Sequence, residues 1–270
     1  MSNLILGSTG ILGTGIAKFD NDAIELSHDD FEIEDINSII KHVAKYNPDI
    51  IYNCTGMSSP KECETHPEKA FINNTISVYN LAKLCREKDI TLVHLSTDSV
   101  FKGDEGYYVE SDIPNPVNIY GISKYAGELA IRSICDRYYI IRLAIQFGPR
   151  RNSKLGTVDR FINMLKEDKL IYASDRCISP SYSEDVARAI LDIIKMDFGI
   201  YHVINKGNAS IYDIVIELSN IMNSNSKIYK CSEDRFEPKL KPKSTPMKSI
   251  KIKELRDWKE ALREYMNDII

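Results

Sequence analysis

The chain has 270 residues, 43% of them hydrophobic and 27% charged, which suffices for one large α/β unit with a smaller lobe and is too apolar for a disordered segment. A formal net charge of −4 gives no basic footprint, so nucleic acid is not an expected partner. No apolar run reaches membrane-span length, and MSNLILGSTG enters a glycine turn too early for a signal peptide, so a cytoplasmic protein with no membrane partner is expected.

In chain order, short β-branched runs at Asn3–Leu6, Ala23–Leu26, residues 49–53, residues 91–95 and Tyr138–Leu143 predict buried parallel strands. Between them, Ile36–Tyr46, residues 67–88 and residues 123–136 carry apolar side chains at helical spacing. Alternating strands and helices predict an α/β fold with a doubly wound parallel sheet of Rossmann type, which places ligands at the C-terminal strand ends. After Gly148 and Pro149 the texture changes, with helix-like segments at 158–166, 182–196 and 211–223 and a Pro- and Lys-rich stretch at 237–251. Residues 1–148 are therefore expected to form the dinucleotide-binding domain, and residues 149–270 mainly a smaller substrate-binding lobe partly interleaved with it. The six cysteines, Cys54, Cys63, Cys85, Cys135, Cys177 and Cys231, form no CxxC pair and have no His at ligand spacing. They read as reduced thiols, and no metal site is expected.

The first strand runs directly into Gly7-Ser8-Thr9-Gly10-Ile11-Leu12-Gly13, which opens a helix. Glycines there allow a phosphate to approach the free N–H groups of a helix start. The second strand ends in Glu25-Leu26-Ser27-His28, near the expected adenosine ribose. Ser27 and His28 tolerate a 2′-phosphate, giving a slight preference for NADPH over NADH.

Tyr120 and Lys124 stand four residues apart, on one face of a helix. A nearby ammonium favours phenolate, so the pair is expected to lower the tyrosine pKa and let the hydroxyl exchange a proton with a carbonyl oxygen. Lys124 can also hold cofactor ribose hydroxyls. Thr97, just past the fourth strand run, is placed to donate to a developing oxyanion, with Ser96 as the fallback.

These residues resemble a known family: the extended short-chain dehydrogenases acting on sugar nucleotides, and within them the dTDP-4-dehydrorhamnose reductases. The resemblance is carried by residues 96–103 (STDSVFKG) and 108–128 (YVESDIPNPVNIYGISKYAGE). It continues through 47–56 (NPDIIYNCTG), Asn74, Asp175, 179–187 (SPSYSEDVA), 199–203 (GIYHV) and 241–244 (KPKS), nearly the whole chain. It implies reduction of the 4-keto group of a nucleotide-linked 6-deoxyhexose by NADPH or NADH, with Thr97, Tyr120 and Lys124 as the catalytic set. It places Ile11, Leu12, Glu32, Ile33, Cys54, Thr55 and Gly56 along the cofactor, with the Ala144–Ile145 backbone facing the nicotinamide amide. On the sugar-nucleotide side it places Met57, Asp98, Ser99, Ile145, Arg176, Ser179 and Lys241.

The sequence departs from the family at Ser99, Ile145, Arg176 and Lys61, where Tyr, Trp, Gln and Asp are usual, which leaves the nucleotide-sugar substrate open. Alternatives are a UDP- or GDP-sugar epimerase/reductase, or a non-catalytic dinucleotide-binding subunit like that of methionine adenosyltransferase. The GDP-fucose synthases, which epimerise before reducing, place a Cys near where Asp98 stands, and this favours a pure reductase. Cys177 is the thiol to watch near the substrate. Lys239, Lys241 and Lys243 are candidates to grip a diphosphate. Pairing into a homodimer through helices beside the Tyr-Lys helix is expected.

Overall fold

In the computed structural model, which describes residues 2–104, 106–236 and 242–269, the strand pattern assembles into one six-stranded sheet. Strands β1 (Asn3–Leu6), β2 (Ala23–Leu26), β3 (Ile50–Asn53), β4 (Thr91–Thr97), β5 (Tyr138–Leu143) and β6 (Gly199–His202) lie in the order β6-β5-β4-β3-β1-β2. Every neighbouring pair is parallel. The strand order reverses between β1 and β3, so a crevice opens beyond their C-terminal ends.

Alternation along the strands builds two apolar layers. Leu4 and Leu6 face a layer with Ile39, Leu81, Leu92 and Ile140, whereas Ile5 faces the other with Ile16, Tyr52, Val93, Ile141 and Ile190. The buried α/β sheet agrees with the sequence-based fold. One strand differs: β2 is an edge, and only its Leu26 is buried. With one flank open, it is not the fully buried strand that composition suggests.

Several helical boundaries differ for local reasons. The helix expected over 123–136 spans Ile119–Ile134, because the Asn118 side chain caps it by accepting from the Gly121 N–H at 2.7 Å. The segment 67–88 divides into Pro67–Phe71, a π-helical turn at Ile72–Ile76 and Ser77–Glu87. Strand β6 and helix Trp258–Ile269 are additional elements; β6 is only four residues long and is stabilised by pairing with β5, a partner no local pattern reveals.

A further apolar cluster gathers Phe147, Ile162, Ile178, Leu218, Trp258, Leu262 and Tyr265 from the C-terminal part of the chain. Short strand pairs frame it, including Ile171–Ser174 with Ile228–Cys231. Among the described residues no helix is long and apolar enough to cross a membrane.

Candidate active site

Thr97 is the last residue of β4, and a 3-10 turn at Asp98–Val100 follows it. The Ile119–Ile134 helix packs on this turn through Gly121, where an added Cβ would stand 2.1 Å from the Ser99 carbonyl oxygen. Two turns later Gly127 meets the Asn74 carbonyl oxygen in the same way, at 2.3 Å from its would-be Cβ. Two glycines therefore set the helix against both β4 and the π turn. Thr97, Tyr120 and Lys124 are brought together as a result, with the Thr97 hydroxyl close enough to the Tyr120 phenol to lower its pKa.

Asn74 ties this helix to the end of β3. Its Oδ1 accepts from Met57 N–H at 2.9 Å, and its Nδ2 donates to the Met57 carbonyl and to Ser123 Oγ, both at 3.0 Å. A π-helical turn presenting a buried polar side chain is a frequent mark of a functional site.

The electrostatics differ from the sequence-based expectation. Burial pushes the Tyr120 phenol up to about 12; the Thr97 hydroxyl and the Arg176 charge pull downward, and Asp98 pushes further up. Lys124 does not depress it, because its Nζ is turned to the Leu95 carbonyl at 2.6 Å and His94 Nε2 at 3.3 Å. Burial also lowers Lys124 to about 8, against the opposing pull of Glu128. Tyr120 is thus a protonated acid at neutral pH rather than a near-neutral phenol.

Beyond Thr97 the wall is a buried polar cluster. Asp98 accepts from Thr245 Oγ1 at 2.5 Å and from Thr97 Oγ1 at 3.1 Å. Arg176, 7% exposed, reaches Asp98 through a 3.5 Å contact, and its Nε has no hydrogen-bond partner among the described residues. Ser99 is buried, its N–H donating to Thr97 Oγ1 at 3.1 Å. Ala144 and Ile145 are half-buried, and the Ile145 carbonyl is occupied by Ser181 N–H at 2.9 Å.

One expected contact is corrected. Ser179 is 0% exposed, and its hydroxyl both donates to the Met247 carbonyl and accepts from the Met247 N–H. It pins the 245–248 segment and has no surface for a sugar. Ile33, 7% exposed, packs mostly into the sheet's apolar layer. Lys239 and Lys241 lie outside the described residues, while Lys243 is exposed. Cys177 Sγ accepts from Asn208 Nδ2 at 3.1 Å.

On the other side of the crevice, Gly7 adopts φ +82°, and a Cβ there would crowd the Cys54 carbonyl at 3.1 Å. A Cβ on Gly13 would stand 2.2 Å from the Gly7 carbonyl oxygen, so this glycine lets the helix pack on its own turn. Gly10 is different: a Cβ would meet no protein atom closer than 3.5 Å. Its open flank lies at the N-cap of helix Ile11–Phe19, which has no side-chain cap. The unpaired N–H groups of Ile11, Leu12 and Gly13 fit a pyrophosphate approaching there. Thr9, beside them, accepts from the N–H groups of Arg151 and Asn152.

Cys54, Thr55 and Gly56 continue the crevice past β3. Gly56 adopts φ +136°, and a Cβ on it would lie 3.8 Å from Lys124 Nζ. Burial raises the Cys54 thiol to about 12, so it stays protonated. At the end of β2, Ser27 Oγ donates to Asp30 Oδ2 at 2.8 Å, and His28 and Glu32 are exposed. Arg151, which the sequence does not single out, pairs with Glu25 there and reaches the Ser8 carbonyl at 3.0 Å. Among the described residues no His, Cys, Asp and Glu side chains cluster as metal ligands.

Known proteins share this fold. The chain is 30% identical to the spore coat polysaccharide biosynthesis protein SpsK of Bacillus subtilis, over 98% of this chain and 96% of the relative. A crystal structure of a dTDP-4-dehydrorhamnose reductase from Clostridium acetobutylicum superposes with a TM-score of 0.93 at 28% identity, covering 100% of this chain and 99% of the other. One from Bacillus anthracis, in complex with NADP, does so with a TM-score of 0.91 at 26% identity and the same coverage. The family described as RmlD substrate binding domain matches residues 1–270, and the chain belongs to it.

Proposed function

We propose that this chain is an NAD(P)H-dependent oxidoreductase that reduces the 4-keto group of a nucleotide-linked 6-deoxyhexose, as its dTDP-4-dehydrorhamnose reductase relatives are named for doing. The observation that carries the reading is the convergence of Thr97, Tyr120 and Lys124 at the C-terminal edge of the sheet, across the crevice from the open glycine turn. NADPH or NADH, when bound, supplies the hydride. The helix N–H groups beyond Gly10 hold its pyrophosphate, and the 54–56 segment lies along it. Arg151 and His28 are the basic groups near its adenosine end, in keeping with the slight preference for NADPH.

Tyr120 keeps its proton through the neutral range and delivers it to the oxygen that becomes the new hydroxyl. The Thr97 hydroxyl, itself accepting from Ser99 N–H, turns its one proton from Asp98 Oδ1 to that oxygen as charge develops on it. Lys124 supplies positive charge beside the ribose, whose hydroxyls it holds. Asp98, Ser99, Met57, Ile145 and Arg176 form the sugar side. The buried, under-partnered Arg176 guanidinium gives that side a strong hydrogen-bond donor for an oxygen-rich or anionic substituent. Residues 149–270 supply most of the substrate-binding lobe.

The protein is assigned to the cytoplasm, where its six unpaired thiols stay reduced. A homodimer is the favoured assembly. Ile72 and Ile76 on the π turn, Tyr79 on the Ser77–Glu87 helix that continues it, and Ile122 and Leu129 on the Ile119–Ile134 helix are exposed apolar side chains. The function is tested by following reduced-nicotinamide absorbance against dTDP-, UDP- and GDP-linked 4-keto sugars with each cofactor. Turnover with a 4-keto-6-deoxyhexose is expected; oxidation of neither cofactor by any member of the panel contradicts it.

A further inference from the structure

Beneath Lys124 lies a pair of fully buried side chains that the reaction itself does not require. Asn53 and His94, both 0% exposed, are register partners, Asn53 the last residue of β3 and His94 in the middle of β4. The Asn53 amide has one orientation open to it. The backbone N–H of Thr55 donates to Oδ1 at 3.2 Å and the Thr55 hydroxyl donates to the same atom at 2.6 Å. A backbone N–H only donates, so the atom facing it must be the amide oxygen. Nδ2 therefore points the other way, to His94 Nδ1 at 3.1 Å.

That contact fixes the imidazole. Facing a donor, Nδ1 must present its lone pair, and a neutral ring then carries its proton on Nε2. Burial and the neighbouring Lys124 charge hold the ring neutral, with its pKa well below the usual histidine value. Nε2 lies 3.3 Å from Lys124 Nζ. An N–H in that place donates well to the lone pair of a free amine but meets an ammonium donor to donor.

We propose that Asn53 and His94 are positioning residues forming a tautomer lock that sets the proton affinity of Lys124 from below. The lock favours the free amine. The ammonium is supported instead by the Leu95 carbonyl at 2.6 Å and by Glu128 on the same helix, while the neighbouring thiols of Cys54 and Cys63, both raised by burial, stay protonated and uncharged where the lysine titrates. With His94 from β4 on the opposing side, both charge states of the lysine stay accessible near the working pH. The lock starts at Thr55, on the segment expected to line the cofactor, so the side chain that orients Asn53 borders the cofactor groove.

The inference rests on the proposed role of Lys124, and its first test is independent of activity. Long-range proton–nitrogen correlation spectra of the full chain with nitrogen-15 histidine report which ring nitrogen is protonated. His94 is expected neutral and Nε2-protonated around neutral pH; an Nδ1-protonated or cationic ring overturns the lock without touching the assignment of the reductase. The second test is Asn53→Asp, nearly isosteric, whose carboxylate accepts from Nδ1–H and so moves the proton off Nε2. In that variant the ring is expected to become Nδ1-protonated, and the alkaline limb of the kcat profile to move up by about one pH unit, because Nε2 then accepts from the ammonium. A limb that moves without a tautomer change is a plain charge effect and overturns the proposal. So does a tautomer change that leaves the limb in place.

Discussion

Lys124 and Tyr120 show how a two-residue motif acquires its chemistry from its surroundings. Spacing alone suggests an ammonium depressing a phenol, but burial dominates both groups and drives them apart: tyrosine up to about 12, lysine down to about 8. Reduction needs the Tyr120 proton, present below about 12, and the Lys124 charge, lost as pH rises through about 8. Turnover in the reductive direction is therefore expected to fall above about pH 8, with Lys124 as the limiting group, and initial rates across the alkaline range check it. A profile that stays flat until the tyrosine range contradicts the lysine assignment. At this scale the sequence pointed to Tyr120, Lys124 and Thr97 through their residue types and spacing, and the fold brings the three together. It did not disclose His94, Asn53 or Arg151, whose relevance comes from neighbours in space rather than in sequence.

Among the elements, the Ile119–Ile134 helix positions the chemistry, and two glycines and an ion pair position the helix. Glu128 and Arg142 are 0% and 1% exposed at their side chains and share a bidentate contact of 2.7 and 3.0 Å, with Ser96 Oγ donating to Glu128 at 2.5 Å. Leaving one partner of such a pair uncompensated typically costs about 3–5 kcal/mol. The glycine contacts are equally strict. Gly121→Ala places a methyl where the Ser99 carbonyl stands, and overpacking of this kind costs about 1–3 kcal/mol. The variant is expected to melt a few degrees lower and to lose turnover, because relief of the clash moves Tyr120 away from Thr97; thermal unfolding and kinetics check both. Gly106→Ala, with nothing within 4 Å of the added methyl, is the control and should leave both as they are. The sequence marked this helix from its amphipathic half. Its true start was hidden because the cap is made by Asn118, in a polar stretch that reads as loop.

For the molecule as a whole, the strand–helix alternation was legible because each buried strand is a short β-branched run and each helix keeps its apolar stripe. What stayed hidden was non-local: β6 joins the sheet from late in the chain, and the small strand pairs around the C-terminal cluster are two to four residues long. The apolar side chains left exposed on the π turn and the Tyr-Lys helix belong to the same scale. If they bury against a second copy, Ile76→Lys puts a charge into that interface. Light scattering is then expected to show two chains for the natural protein and one for the variant; an unchanged mass would place the contact elsewhere.

In the proposed reaction Tyr120 delivers the proton to the reduced carbonyl. Tyr120→Phe removes the hydroxyl while retaining the ring. The variant is expected to bind NADPH like the natural protein and to lose about 10²–10⁴-fold in turnover on a 4-keto sugar nucleotide. Turnover within a few-fold of the natural protein would mean that Tyr120 is not the proton donor.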